Sequence, residues 1–431
     1  MKLSNAWVRL WVLLWMTCVW ELLQPAAAAE ALTLDDYFTQ ALARSEGIGI
    51  QDELIRQAQE RVHQADAALY PTLTGFASYS WQDTGARDSI QNPTRQRLAR
   101  ITASQPLFRG FREFAAVRQS RALVGAQDND YSHARVQLFK DVAQNFYEVL
   151  AIEQDLASLG EQIDQYRQRA KELQGRVRIG RSRPGEVLTV QSVTSTLEAE
   201  IEQRKADLSV AREVFAFLSG LPAATPLRDT EVLPAHPGAL DQYLARVILR
   251  PDVKALQQRQ TAAQENLGVA RGAHLPSLDL NANRYLERSG NLENVDWDVQ
   301  LALTVPLYAG GSVQSRVREA LSQSTQAELS ASQVRRQAEQ EIRSVYQSVL
   351  LDRVQLNALE KAADAARKNY SAQQRDYRLG LVTNLDVLQA QASFQENQRA
   401  LQRARYAIKL NYLRLQAAAV YRPTVSTGAA P

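Results

Sequence analysis

Apolar residues recur every three or four positions over two stretches, 110–180 and 310–380. In the first the seam reads Val142, Phe146, Val149, Leu156, Leu159, Ile163, Tyr166, Ala170, Leu173 and Val177. In the second it reads Ile342, Val345, Val349, Leu356, Leu359, Ala363, Ala366, Tyr370 and Tyr377. A spacing that alternates three and four is a period of about 3.5, the mark of a supercoiled helix. At a rise of about 1.5 Å per residue each stretch spans roughly 100 Å. No compact domain needs a helix that long.

Each long stretch is followed by a turn and a second helical seam. The return helices are expected over 186–218 and 386–418. Their seams keep the same spacing, Val187, Val190, Thr194, Leu197, Ile201 in one and Val387, Ala390, Phe394, Leu401, Ala404 in the other. Outgoing and return helices should therefore pair antiparallel as coiled-coil hairpins. Gly180 and Gly380 mark the ends of the outgoing helices. Both read as helix C-caps or as hinges.

Before each long helix the period changes to two. Leu73, Gly75, Ala77, Tyr79 and Trp81 alternate with Thr72, Thr74, Ser78 and Ser80, Phe76 being the exception. Trp297, Val299, Leu301, Leu303 and Val305 alternate with Asp298, Gln300, Ala302 and Thr304. Four strands are expected, at about 71–81, 97–107, 276–285 and 297–306. Pro106 should stop the second strand. The junctions Pro106-Leu107-Phe108-Arg109-Gly110 and Pro306-Leu307-Tyr308-Ala309-Gly310 then turn strand into helix. Upstream, Thr33 with Asp36 predicts a capped helix start, with a break near Gly47 and Gly49 and an end at Pro71.

The same order of elements occurs twice, about 200 residues apart. Residues 30–220 form the first repeat, 221–239 a Pro-rich linker, 240–420 the second repeat and 421–431 a flexible tail. The fold class is thus mainly α with a small β part, a duplicated helix–strand–strand–long helix–helix unit.

Composition adds less. The net charge of +3 implies no nucleic-acid field. Lys2 and Arg9, the apolar run Leu10 to Leu23 after them and the alanines Ala26 to Ala29 predict a cleaved signal peptide over 1–29, a membrane anchor being the competing reading that the short run disfavours. The single cysteine, Cys18, lies inside it, so the mature chain should lack thiols. The four histidines show no metal-ligand spacing, and no catalytic motif stands out, so neither cofactor nor enzymatic activity is expected.

Alternating strands of about ten residues with terminal aromatics suit an outer-membrane barrel. Four strands cannot close one, since about eight is the minimum, and open edges are excluded in lipid. The chain should therefore oligomerise. The competing reading is two hairpins packed on soluble helices, in a structural periplasmic scaffold or adaptor without a pore.

The duplication, the strand start Pro276-Ser277-Leu278, the run Val305-Pro306-Leu307-Tyr308-x-Gly310-Gly311 and the tip Tyr377-Arg378-Leu379-Gly380 with Leu385-Asp386-Val387-Leu388 resemble the TolC-type outer-membrane efflux and secretion family. The resemblance implies a homotrimer whose twelve-stranded outer-membrane β-barrel continues into a periplasmic α-helical tunnel. It implies docking to a periplasmic adaptor and an inner-membrane transporter, either ABC or proton-driven. It also implies a tip closed by a tyrosine, an acid and an arginine. Tyr377 matches the tyrosine, whereas Arg178 stands at the acid position and Val382 at the arginine position. Asp386 matches one of two acidic rings, and Gln389 replaces the other. Tyr377 also fits coiled-coil packing, and Asp386 also fits a helix N-terminus. Cargo, small molecule or protein, is not legible in the residues.

Overall fold

A computed structural model describes residues 31–83, 94–289 and 293–420. The expected signal peptide, Cys18, the C-terminal tail and most of the first inter-strand loop lie outside the described residues.

The chain starts with α1 (Leu34–Arg44), which Thr33 and Asp36 hold in a reciprocal capping box. The helix breaks at Ser45, two residues before the glycine pair, because Ser45 turns extended and caps α2 (Glu46–Ala67) by accepting from the Ile48 N–H. Strands β1 (Thr72–Trp81) and β2 (Arg95–Phe108) follow. Pro106 does not stop β2. Its missing N–H is tolerated at a register shift, where Pro106 faces Asp279 and Phe108 faces Leu278.

The long helix α3 (Arg112–Arg178) returns as α4 (Pro184–Ser219). The return begins two residues earlier than the seam indicates, because Pro184 occupies the first helical turn, where a missing N–H costs nothing. In the second repeat the first helix is cut to α5 (Leu240–Leu244) and a short 3-10 turn. Helix α6 (Pro251–Gly272), strands β3 (Ser277–Arg288) and β4 (Trp297–Thr304), α7 (Ser312–Arg378) and α8 (Asn384–Ala418) complete it. Among the described residues no helix is long and apolar enough to cross a membrane.

The strands form one antiparallel sheet in the order β1-β2-β3-β4. Thr72 faces Ser104 and Ser277 faces Thr304, so the two hairpins share one register. One face carries Leu73, Val299, Leu301, Leu303 and Trp297, all more than half exposed. The other carries a polar ladder. Thr102 donates to Asn283 at 2.7 Å, Asn283 to Asp298 at 2.8 Å and Tyr285 to the same carboxylate at 2.7 Å.

The core lies among the helices. Tyr37, Phe38, Phe139, Phe146 and Phe215 pack in one cluster, where the Tyr37 hydroxyl donates to Asn145 at 2.8 Å. The Pro-rich segment 221–239 is bound to the helices along its length. Leu32 N–H donates to the Pro226 carbonyl at 2.9 Å, Arg353 to the Pro234 carbonyl at 2.7 Å and the Tyr346 hydroxyl to the Gly238 carbonyl at 3.2 Å. It forms a strap around the helices.

Candidate channel entrance and wall

The tips of the two hairpins lie at the far ends of α3 and α7, away from the sheet. Both end in the same way. Gly180 (φ +69) and Gly380 (φ +76) sit in the left-handed region just past the helix. The Gly180 N–H donates to Val177 and the Arg181 N–H to Arg176; Gly380 and Leu381 repeat this with Tyr377 and Asp376. This double bond pattern closes the orphan carbonyls and requires the positive φ, which glycine adopts without strain.

Tyr377 is buried, with residues of both hairpins around it. Two guanidinium groups lie over its ring, Arg169 at 4.1 Å and Arg176 at 4.7 Å. Glu172 binds both at 2.9 Å. Arg169 also donates to Asn384 at 3.0 Å, at the start of α8. One nitrogen of Arg169 is buried without a partner. Arg169, Glu172 and Arg176 are spaced three and four apart, so one face of α3 presents them to α7. That spacing was visible in the sequence. Their meeting with Tyr377, across some 200 residues, was not.

The other tip candidates are placed differently. Arg178, Gly180 and Gln389 are exposed, and Val382 packs partly buried against the tip cluster. Asp386 accepts from the Thr383 backbone N–H at 2.8 Å and the Thr383 hydroxyl at 2.6 Å, and its own N–H donates back to that hydroxyl. This second capping box starts α8. These hydrogen bonds hold the Asp386 carboxyl below the usual carboxylate range.

Above the tip α8 is bound to the first hairpin by polar contacts. Gln391 and Gln395 both donate to Gln165, and Arg399 pairs with Glu200 at 2.8 Å. Arg403 holds the buried carboxylate of Asp155 with two nitrogens. Farther up, Glu341 of α7 joins Lys140 at 2.6 Å and Arg250 at 2.8 Å. Burial pushes the Glu341 carboxyl up, but the two cations hold it below its ordinary value. Among the described residues no His, Cys, Asp and Glu cluster could hold a metal.

At the strand-to-helix corner Pro106 lies in β2, and Gly110 takes φ +67 against the Gly272 carbonyl. A Cβ on Gly110 would stand 2.3 Å from that oxygen, so only glycine fits. In the second copy Pro306 and Gly310 lie beyond β4, which ends at Thr304 because β3 offers no partner past Ser277. Leu307 and Tyr308 are almost fully exposed there.

An open sheet with one apolar and one hydrogen-bonded polar face, joined to helical hairpins much longer than a domain, is the architecture of an outer-membrane channel protein. The chain belongs to the outer membrane efflux protein family, whose model matches residues 38–221 and 243–419. It is 25% identical over 394 residues to outer membrane efflux protein BepC of Brucella suis, covering 88% of this chain and 84% of that one. It is 24% identical over 380 residues to outer membrane protein TolC of Escherichia coli, covering 84% and 76%. Its fold superposes on a crystal structure of CusC with a TM-score of 0.81 at 20% identity, covering 91% of this chain and 93% of that one. The chain is a TolC-type protein of the outer membrane and serves as a duct in efflux or secretion.

Proposed function

We propose that three copies close a twelve-stranded barrel, continuous with a periplasmic helical tunnel that receives cargo from an adaptor and an inner-membrane transporter. The observation that carries this is the pair of open edges, β1 and β4, on a sheet whose faces differ. Bare edges are intolerable in lipid, and closure with further copies removes them. The exposed apolar face suits the bilayer, and the Asn and Asp ladder suits a water-filled lumen. A scaffold without a pore would leave the leucine and tryptophan face in water, which disfavours that reading.

At the tip, Tyr377 under the guanidinium groups of Arg169 and Arg176 acts as a clamp joining the second hairpin to the first. Gly180 and Gly380 serve the hairpin turns. Asp386 acts through its charge near the opening, with exposed Gln389 three residues on along α8 and exposed Arg178 at the end of α3. Like charges brought together by symmetry favour cations.

The experiment is outer-membrane fractionation followed by native mass measurement in detergent. A membrane-bound trimer is expected. Recovery as a soluble periplasmic monomer would overturn the proposal. For the clamp, Tyr377→Ala should raise single-channel conductance; an unchanged conductance removes it from closure.

A further inference from the structure

The repeats superpose in number as well as in order. Glu46–Ala67 recurs as Pro251–Gly272, 205 residues on, and Arg112–Arg178 as Ser312–Arg378, 200 residues on. The strand registers obey the same shifts, as Thr72 facing Ser104 becomes Ser277 facing Thr304. A chain built of two like units has two kinds of junction. One, from the first repeat to the second, lies inside the chain. The other, from the second repeat to the first repeat of an adjacent copy, must resemble it if the ring closes.

The internal junction is fully described. Strand β2 pairs with β3 so that Thr102 faces Asn283 and Ser104 faces Asn281. Below the sheet α3 lies along α6, and Arg118 pairs with Glu265 at 2.8 Å. Applying the same shifts converts Arg118 to position 318 and Glu265 to position 60. Position 318 is arginine and position 60 is glutamate. Both are exposed, and among the described residues neither has an ion pair. Arg318 only reaches Ser315, at 3.1 Å. An opposite-charge pair recurs at the two predicted positions, one on each open flank of the chain.

We infer that the junction between the repeats is repeated between copies, with Arg318 of one copy paired to Glu60 of the adjacent copy and β4 set against β1 so that Ala302 faces Ser78. This rests on the assembly proposed above and adds its register and its flank contact. The unpaired run Val305-Pro306-Leu307-Tyr308 then lies beside Leu73 to Gly75 of the adjacent copy, as Pro106 and Phe108 lie beside Asp279 and Leu278 within the chain. One detail differs. Ala67 stands where Gly272 does, so the backbones approach less closely at that corner.

The test uses paired cysteines in the full chain with Cys18, which lies in the signal segment, left in place. Facing antiparallel residues have Cα atoms about 4.5–5.5 Å apart, within reach of a disulfide. Ala302→Cys with Ser78→Cys should give covalent dimers and trimers on non-reducing gels after mild oxidation. The control Ala302→Cys with Ser80→Cys keeps the face but slips the register by two, and should give at least about ten-fold less. A detergent-stable trimer that fails to cross-link at 78, or prefers 80, overturns the seam while leaving the trimer standing. A monomer overturns the assembly itself. A second measurement does not depend on oxidation. Arg318→Glu should lower the trimer fraction by up to about five-fold per contact, and adding Glu60→Arg should restore it. Equal loss in the double variant overturns the pair.

Discussion

Helices α3 and α7 have the same length and period, yet nineteen positions of α3 are buried and five of α7. Composition does not explain the difference. Leu321, Leu329, Leu351 and Val354 of α7 are apolar and lie half exposed or more. Helix α3 is covered by α2, α4 and α6 and by α8 from the second repeat. Helix α7 has α6 and α8 but no helix of a following repeat on its far side. The burial of one repeat and the exposure of the other fit the proposed ring, in which the open flank of α7 would meet an adjacent copy. The same contrast holds at the sheet, where β2 has strands on both sides and β4 on one.

The largest test of this contrast is a core truncation on the covered helix. Phe146 is fully buried among Tyr37, Phe139 and Phe215. Phe146→Ala should cost about 3–5 kcal/mol, read by denaturant unfolding of the monomer. The matched change Leu351→Ala on α7 should leave monomer unfolding unaltered and weaken only the oligomer. Equal losses in the monomer would mean that the exposed face of α7 is already satisfied within one chain.

Next comes the wall. Leu301 is 61% exposed on the apolar face of β4. Leu301→Arg should cost about 2–4 kcal/mol if that face meets the middle of the bilayer, seen as loss of trimer in membranes. Thr102→Arg, on the polar face, should be better tolerated for insertion. Normal assembly of the Leu301 variant would exchange the two faces.

Much of the architecture was legible in the residues, because period two and period 3.5 report directly on which face is buried. The Thr33–Asp36 cap and both hairpin turns are local and carry their own chemistry. What was missed is non-local or competes with a local signal. The strap 221–239 reads as a linker because its prolines forbid regular elements, yet its carbonyls serve as acceptors for Arg353 and Tyr346. Pro106 reads as a stop, but a strand that bulges at its end tolerates it. The clamp on Tyr377 requires α3 to face α7, and no spacing within either helix reveals that. Asp386 reads as a member of a charged ring on resemblance, while Thr383 three residues earlier is the ordinary sign of a capping box.

A smaller effect separates the two repeats where they are bolted together. Arg403 on α8 holds Asp155 on α3, whose side chain is only 8% exposed. Arg403→Ala strands a buried carboxylate and should cost about 2–3 kcal/mol, less than a fully buried pair because Arg403 is half in water. Asp155→Ala leaves an arginine that can turn to solvent, and should cost about 1 kcal/mol. The reverse order in thermal unfolding would contradict the burial assigned to Asp155. Glu341 supplies a pH signature of the same junction. Its native pKa is depressed, so its contribution is complete above the ordinary value of 4.5 and is lost as pH falls through the lower native value. Glu341→Gln should flatten that part of the acid unfolding curve.

The smallest expected effect on stability, and the sharpest on conduction, is at the tips. The first return helix starts at Pro184 without a side-chain cap, and the second starts from the Thr383–Asp386 box. Glu186 occupies in the first tip the place of Asp386 in the second, and bonds Ser182 at 2.9 Å. Asp386→Ala removes the charge and the return half of the capping box, leaving Thr383 to accept from the backbone N–H of residue 386, and should cost about 1 kcal/mol. Asp386→Asn keeps an oxygen for the Thr383 N–H, so stability should change by less than about 0.5 kcal/mol. The charge is nevertheless lost, and cation preference in single-channel recordings should fall. Because hydrogen bonds hold the native carboxyl below its usual range, the wild-type preference should persist as pH is lowered toward 4 and fade only below the ordinary carboxylate value. Selectivity that is unchanged in Asp386→Asn, or that fades already near pH 6, would assign Asp386 to the cap alone and leave the two tips equivalent in function.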